Sequence, residues 1–585
     1  MRGVVALSIL SALGASAALT ESNLEKHADV LALSHSFNPV KDAYWTGYPH
    51  HRRTPFAVSP DGKSAYVAYL DASETDVHVQ QVDASTFKAT GTSVTVSGGK
   101  EAGGLVAHND GFALLTNEAM PSGTTNAPSD ETPVPVLYRY TDGEQTWKTW
   151  LGGPGVHESD GLAASPDLNG DLVYSEQSGL YGAYFVITDY SGDAAGHFGD
   201  SIEYVADNGT LVTIAGASSA WGCSHNTGIA FEAADEPPYA SICAEDQGAI
   251  WLNTKTQGMM TDGVKLSNEN TTNGAGGEAI GGMSGSYSAL ARFAESSRYL
   301  FAWVSRGAID LTENSWMGDG YTNAQNRTNN RNVAIALLSD KYTKVGAEAS
   351  SEVGAEDGDS QITWLTNGSN DCSNAHAATF GNSSALVTWE EISDPICDFI
   401  AMGCRGSFAG TFYQQVDAQG KAVGSPLKST DTYVAGDMVT MADGRICWPY
   451  VQMDWDLSQP VYALGASNTT SMSFACLSLD GSSGTSVSSS SASVSSAVAS
   501  SAPTTSVKTK APAVKTPAVE TPSVATTHAE AVSAEATSVE ATSVEATSAA
   551  PVVQSTSVEA FPVEMTPSPM PPMPDFPFDG EGCAA

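Results

Sequence analysis

The chain has 585 residues and a formal net charge of -40, from 66 acidic against 26 basic side chains. A field of that sign repels phosphate backbones and anionic lipid, which excludes nucleic-acid and acidic-membrane binding as primary roles. An apolar fraction of 41% is ample for a large folded core.

In chain order, residues 1–18 come first: Arg2, an apolar run, and the small residues Ala15, Ser16 and Ala17, the three-part layout of a cleaved secretory signal. No later stretch reaches the roughly 18 apolar residues a membrane span needs, so a secreted chain without a span is expected. Residues 19–45, including LALSHSF, are expected to supply an outer strand that helps close a ring. The loop GYPHHRR follows at 47–53. Its His50, His51, Arg52 and Arg53 concentrate positive charge beside Tyr44, Trp45 and Tyr48, a combination suited to sugar or carboxylate recognition. The plainer alternative is an ion-paired loop on an acidic protein.

From here one phrase recurs seven times, at 56–71, 105–118, 162–176, 224–246, 288–306, 375–391 and 437–451: an apolar run, a turn of Asp, Asn, Gly or Ser, then a β-rich run. Each copy reads as a hairpin, since a polar turn separates two runs rich in β-branched and aromatic residues. A second hairpin phrase follows most copies, clearest at 77–96, 333–349 and 411–427 and weaker at 136–153, 202–216 and 249–266, with 461–479 closing the series. Turn centres near Asp61, Asp110, Asn169, Asp235, Ser296, Asn382 and Asp443 lie 49 to 86 residues apart. Two hairpins per unit at such a period predict an all-β, seven-bladed β-propeller over 19–480, because one small sheet buries its faces only by stacking on neighbours. A pair of β-sandwiches is the alternative.

The repeat aligns groups capable of chemistry. His108, His225 and His376 stand at or before first strands, while Asp71, Glu118, Glu176, Glu245, Asp246, Glu390 and Glu391 end second strands. Gathered on one face around the channel, they would make a ring of imidazoles and carboxylates, with Glu118, Glu176, Glu390 and His376 as candidate catalytic groups. Glycoside hydrolysis needs two such acids roughly 5–10 Å apart, and repetition alone would also align them. Arg306 stands where other copies carry an acid and joins His50, His51, Arg52, Arg53, His108 and His225 as a binding candidate. DLNGD (167–171) opens like a calcium loop but has Leu172 and Ser178 where Gly and Glu are required, so it reads as a turn. No nucleotide, zinc-protease or serine-hydrolase fingerprint appears; no cofactor is expected, a divalent metal in the channel being the alternative.

Six sequons, at Asn208, Asn270, Asn326, Asn367, Asn382 and Asn468, fit a secreted glycoprotein. Of 8 cysteines, Cys223 with Cys243 and Cys447 with Cys476 are the expected disulfides; Cys372, Cys397 and Cys404 leave one thiol for Cys583 or for a second chain, as in a disulfide-linked dimer through Cys583. From 481 to 585 Ser, Thr, Ala, Val and Pro dominate, including EATSV repeats, which predicts a disordered, O-glycosylated tail. That tail resembles the stalks of fungal cell-wall and secreted glycoproteins, a resemblance of composition that implies a place at or near a wall. The C-terminus lacks the hydrophobic segment of a glycolipid-anchor signal. The function expected is therefore a non-enzymatic glycoprotein binding an extracellular glycan, a cell-wall component or a protein, with a polysaccharide hydrolase or lyase as the alternative.

Overall fold

The computed structural model describes residues 18–43, 47–156, 162–164, 170–191, 198–223, 228–245, 249–258, 262–269, 287–314, 322–397, 404–465 and 467–479. The expected signal, except Ala18, and the expected tail lie outside them. Among the described residues the regular structure is β apart from two short 3-10 turns, and no helix is long and apolar enough to cross a membrane.

Seven antiparallel sheets follow one another as the blades of a propeller. Blade 1 runs from its innermost strand outward as Phe56–Val58, Ser64–Leu70, Asp76–Asp83 and Val94–Ser97; blade 2 as Gly104–His108, Gly111–Glu118, Val134–Thr141 and Glu144–Trp150. Blade 4 comprises Ile229–Glu232, Ala240–Glu245, Ala249–Leu252 and Val264–Asn268, and blade 6 Asp371–Phe380, Ser384–Ile396, Arg405–Asp417 and Leu427–Ser429. Successive side chains of the second strand serve opposite neighbours, as the period of two requires. In SAYVAYL, Tyr66, Ala68 and Leu70 pack on Leu105, Ala107 and Phe112 of blade 2. Ala65, Val67 and Tyr69 turn instead toward Met472 and Phe474 of blade 7. Both faces are dry, so these strands read as continuous apolar runs.

Blade 7 takes Val439–Thr440, Ile446–Tyr450 and Thr469–Leu477 from the end of the propeller and its outer strand from the beginning. Leu24–Phe37 pairs antiparallel with Thr469–Leu477, from Leu24 opposite Leu477 to Phe37 opposite Thr469. The outer strand expected from residues 19–45 is thus present, and Leu31, Leu33 and Phe37 bury their side chains in the blade 7–blade 1 core. On the inner side Thr54 forms a parallel bridge with Gly436, its N–H donating to the Ala435 carbonyl at 3.0 Å.

Two units depart from the expected pattern. In blade 3 the segment 162–176 is not a hairpin: Leu162–Ala164 and Gly170–Ser175 both pair with Leu180–Asp189, a ten-residue strand long enough to template both. The turn therefore follows Ser175, and the blade continues with Phe198–Ala206 and Leu211–Val212. Blade 5 (Leu290–Arg292, Tyr299–Ser305, Asn332–Asp340, Thr343–Lys344, with Thr363–Trp364 also on Asn332–Asp340) carries an inserted hairpin, Ala308–Glu313 with Thr322–Asn326. That insertion accounts for the widest repeat interval.

Both expected disulfides form, Cys223–Cys243 and Cys447–Cys476, with a third between Cys397 and Cys404. The remaining thiol, Cys372, is buried among Val333, Ala385 and Trp389, and burial pushes it up to about 12. It is thereby corrected from a linking cysteine to an inert core residue; Cys583 lies outside the described residues. Cys447 and Cys476 are direct cross-strand partners in the closing blade, 29 residues apart in sequence. The double variant C447A/C476A is expected to lose about 3 kcal/mol of stability, read as a lower urea midpoint; an unchanged midpoint would show that closure does not lean on this bond.

Candidate functional site

The innermost strands of all seven blades line an axial channel of about 410 Å³. Most of the residues lining it are apolar, for example Ala57, Val106, Leu290 and Ala378, although polar atoms make up the larger part of its exposed wall. Its ionisable carboxyl and guanidinium groups are Arg53, Asp171, Glu176, Glu232, Arg292 and Asp437. Asp171 and Asp437 stand where the innermost strands of blades 3 and 7 begin, whereas Glu232 and Arg292 end those of blades 4 and 5. The channel is thus polar toward both ends.

Arg53, the last residue of the GYPHHRR loop, lies across the end where strands begin. One of its Nη atoms donates to the carbonyls of Gly103 at 2.5 Å and Gly170 at 2.6 Å; the other reaches Asp171 at 3.0 Å and Asp437 at 2.7 Å. Its guanidinium also sits over the Tyr287 ring, 4.9 Å from the centroid. Burial opposes the charge, but Asp437 and Asp171 more than offset it and hold Arg53 protonated above its ordinary range. Burial lifts Asp171 to about 7 with help from the Asp437 charge, although Arg53 pulls the other way. Burial likewise raises Glu232 to about 7, against the opposing effect of the Ala233 N–H, which donates to its Oε1 at 2.7 Å.

The preceding residues spread outward from the same point. The buried His51 Nε2 lies 2.6 Å from Glu390 Oε1, and its ring stacks on Trp455 with centroids 4.0 Å apart. Trp455 Nε1 donates to Glu390 Oε2 at 3.0 Å, and Asn374 Nδ2 to Oε1 at 3.3 Å. His376 places Nδ1 2.8 Å from the Tyr287 carbonyl and Nε2 2.8 Å from Asn374 Oδ1. Burial holds His376 down at about 4. Arg52 turns to Glu74 at 2.6 Å and Glu101 at 3.3 Å. His50 is half-buried in Pro49–His51, which pairs with Val40–Asp42.

The structure therefore brings His51, Arg53, Glu390 and His376 together and disperses the other candidates. Glu118 accepts from Tyr138 Oη at 2.5 Å and pairs with Lys148, within blade 2 and away from the channel wall. Glu176 is exposed in the turn after Ser175, because the hairpin of blade 3 lies later than expected, and it lines the channel at the end remote from Arg53. His108 closes its strand instead of opening it, 2.6 Å from Tyr181 Oη between blades 2 and 3; burial, then Arg139, takes it to about 4. The expected ring of His and acids is thus corrected to one cluster around the 47–53 loop. Arg306 lines a separate cavity on blade 5. His225 and Asn270 lie outside the described residues, while Asn208, Asn367, Asn382 and Asn468 are exposed and Asn326 is half-buried.

Sequence reasoning missed Asp171, Asp437 and Glu232. A sequence signal for the first two existed: the pair Gly-Asp occurs as Gly170-Asp171 within the 162–176 phrase and as Gly436-Asp437 at the opening of 437–451. Gly436 admits no side chain, since a Cβ there would meet the Thr54 carbonyl oxygen at 2.4 Å. Among the described residues one group of His, Cys or acid donors has metal-like convergence, Asp371 with Cys397 and Cys404, and its thiols are joined in a disulfide.

No family model and no curated protein matches this chain. Among solved structures it is similar to quinohemoprotein alcohol dehydrogenase from Comamonas testosteroni, at 11% identity over 79% of this chain and 77% of that one, with a TM-score of 0.38. It is also similar to an α-L-arabinanase of Penicillium chrysogenum and an α-L-arabinofuranosidase of Fusarium graminearum, each at 10% identity over 77% of this chain and 99% of the other, with TM-scores of 0.32. Likenesses this distant carry no inference about chemistry.

Two predictions follow from the charges. Arg53→Met leaves Asp171 and Asp437 buried without their cation and should cost about 3–5 kcal/mol at pH 7.5. The loss should shrink at pH 5 as Asp171 takes up a proton, and urea midpoints equal to wild type at both pH values would refute the tethering role. Glu232 has a folded value near 7 against an unfolded one near 4.3, so the folded state binds the proton more tightly. Its burial is destabilising above pH 7, and that penalty fades as pH falls toward 5. Glu232→Gln should flatten this part of the stability profile; an unaltered slope would place the titration elsewhere.

Proposed function

We propose that this is an extracellular protein whose propeller admits a saccharide to its axial channel and cleaves a glycosidic bond there, with Glu232 as proton donor. The observation that carries the reading is one cavity holding a carboxyl raised to about 7 together with two more carboxyls on a buried arginine. Its volume falls within the ordinary range of small-ligand sites. A general acid works best with a pKa near the ambient pH, where it still carries its proton and gives it up readily. Glu232 meets that condition. In the proposed step its proton passes to the glycosidic oxygen, which leaves with the bonding pair as an alcohol; water then bonds to the anomeric carbon and returns a proton to Glu232. Asp171, held by Arg53 and near enough for its charge to act on Glu232, supplies negative charge toward the developing oxocarbenium ion. Three disulfides support an oxidising, secreted setting, and the Ser/Thr-rich segment from 481 serves in this reading as a stalk at the cell wall.

A binding-only role is the second reading, and the cluster around Glu390 favours it. Both Glu390 oxygens are engaged by His51, Asn374 and Trp455, as expected of a plug that shapes a pocket without reacting. The two readings separate in one experiment on the secreted full chain, with reducing-end release and glycan retention measured across neutral and acidic polysaccharides. Hydrolysis is expected, and Glu232→Gln should lower kcat about 10²–10⁴-fold while KM changes little. Retention without release would establish the binding role instead, and neither retention nor release would overturn both.

A further inference from the structure

Blade 5 carries a second cavity, of about 300 Å³, outside the channel. It is lined by Arg306, Arg327, Asp357 and Asp359 together with Ile362 and the half-buried Trp364. Its charges are matched internally. Arg327 reaches Asp357 at 2.9 Å and also pairs with Asp359, while Arg306 Nε donates to the Asn329 carbonyl at 2.8 Å. Two arginines against two aspartates leave no net charge for an ion to exploit, whereas an aromatic face beside polar groups suits a neutral ring bearing hydroxyls, a pyranose.

Asn367 stands on the rim of this cavity and opens the sequon Asn367-Gly368-Ser369. The loop beneath it is held in place: Asn332 Oδ1 accepts from the Gly368 N–H at 3.0 Å and the Thr366 hydroxyl at 3.2 Å, and Asn330 Nδ2 donates to the Gly368 carbonyl at 3.0 Å. The exposed sequons at Asn208, Asn382 and Asn468 line neither this cavity nor the channel. We propose that Asn367 carries an N-linked glycan whose first N-acetylhexosamine lies in this cavity against Trp364, making the glycan a packed part of blade 5. In the modification, Asn367 Nδ2 bonds to the anomeric carbon of a lipid diphosphate-linked oligosaccharide as the sugar–phosphate C–O bond breaks. The diphosphate leaves with the bonding pair, and an Nδ2 proton is released.

The test uses the full chain secreted from a eukaryotic host. Glycopeptide mass spectrometry should find Asn367 occupied. A core-cleaving endoglycosidase acting on the native protein should release its glycan about tenfold or more slowly than that of Asn382, and the two rates should converge after denaturation. Trp364→Leu, which keeps an apolar side chain but removes the ring face, should speed native release at Asn367 alone; its melting curve checks that the blade is intact. In Asn367→Gln, added N,N'-diacetylchitobiose should quench tryptophan fluorescence, and the glycosylated wild type should show no such response. That contrast separates a tethered occupant from a free one. An unmodified Asn367, equal native release at Asn367 and Asn382, or chitobiose quenching in the glycosylated protein that Trp364→Leu abolishes would each overturn the proposal. None of these readouts depends on activity in the channel.

Discussion

One buried guanidinium organises the centre of this propeller. Arg53 belongs to the segment entering blade 1, yet its donors go to the chain just before blade 2 and to the starts of blades 3 and 7, and its face covers a ring just ahead of blade 5. Such a charge is tolerable away from water only when it is balanced and most of its donors are met; here both Nη atoms are satisfied, while the buried Nε has no hydrogen-bond partner among the described residues. The surrounding backbone must therefore stand within hydrogen-bond reach of a single point. Glycines make that approach feasible: a Cβ at Gly104 would meet Leu172 at 2.7 Å, and one at Gly436 the Thr54 carbonyl oxygen at 2.4 Å. Crowding at the axis, a matter of sterics, and charge satisfaction thus impose the same geometry.

Closure of the ring and construction of the site share one stretch of sequence. Leu24–Phe37 completes blade 7 from outside, and the chain then crosses toward the axis through Val40–Asp42 and Pro49–His51 before starting blade 1. Three consecutive residues diverge on arrival. His51 goes to Glu390 of blade 6 and to Trp455, Arg52 to Glu74 and Glu101 beside blade 1, and Arg53 to the axis. In a chain with 26 basic residues against 66 acids, placing cations here offsets part of the mutual repulsion of the acidic side chains buried at the centre.

The fold was legible in the sequence because each blade is local. A hairpin needs a turn and two β-rich runs, both visible within about twenty residues, so the boundaries at 56–71, 105–118 and 375–391 correspond to strands that form. The split inner strand of blade 3 was not legible. Which of two short runs pairs with Leu180–Asp189 depends on that long strand, and the DLNGD turn obscured the choice. The site was legible where composition is anomalous, as in GYPHHRR, and illegible where it depends on facing. His108 and His376 occupy like places in the repeat phrase, yet one closes its strand and the other precedes the channel wall, because Asp371–Phe380 begins earlier and shifts register between Ser373 and His376. Asp171 was visible only as part of the DLNGD turn and Asp437 only as the opening residue of the seventh phrase, since nothing local shows that both point at one arginine far away in the chain.

Desolvation also decides which residue type can give up a proton here. Burial disfavours the charged form of any group, so the same surroundings push carboxyls up and imidazoles down. His376 falls to about 4 and Glu232 rises to about 7. At neutral pH the imidazole therefore has no ionising proton to release, and its two nitrogens face the Tyr287 carbonyl and the Asn374 amide. Glu232 retains a fraction of its protons on the channel wall. A ring of histidines, which the repeat suggested, would have been silent chemistry if buried as deeply as His376. An acid at the end of an innermost strand is the group whose proton burial keeps available.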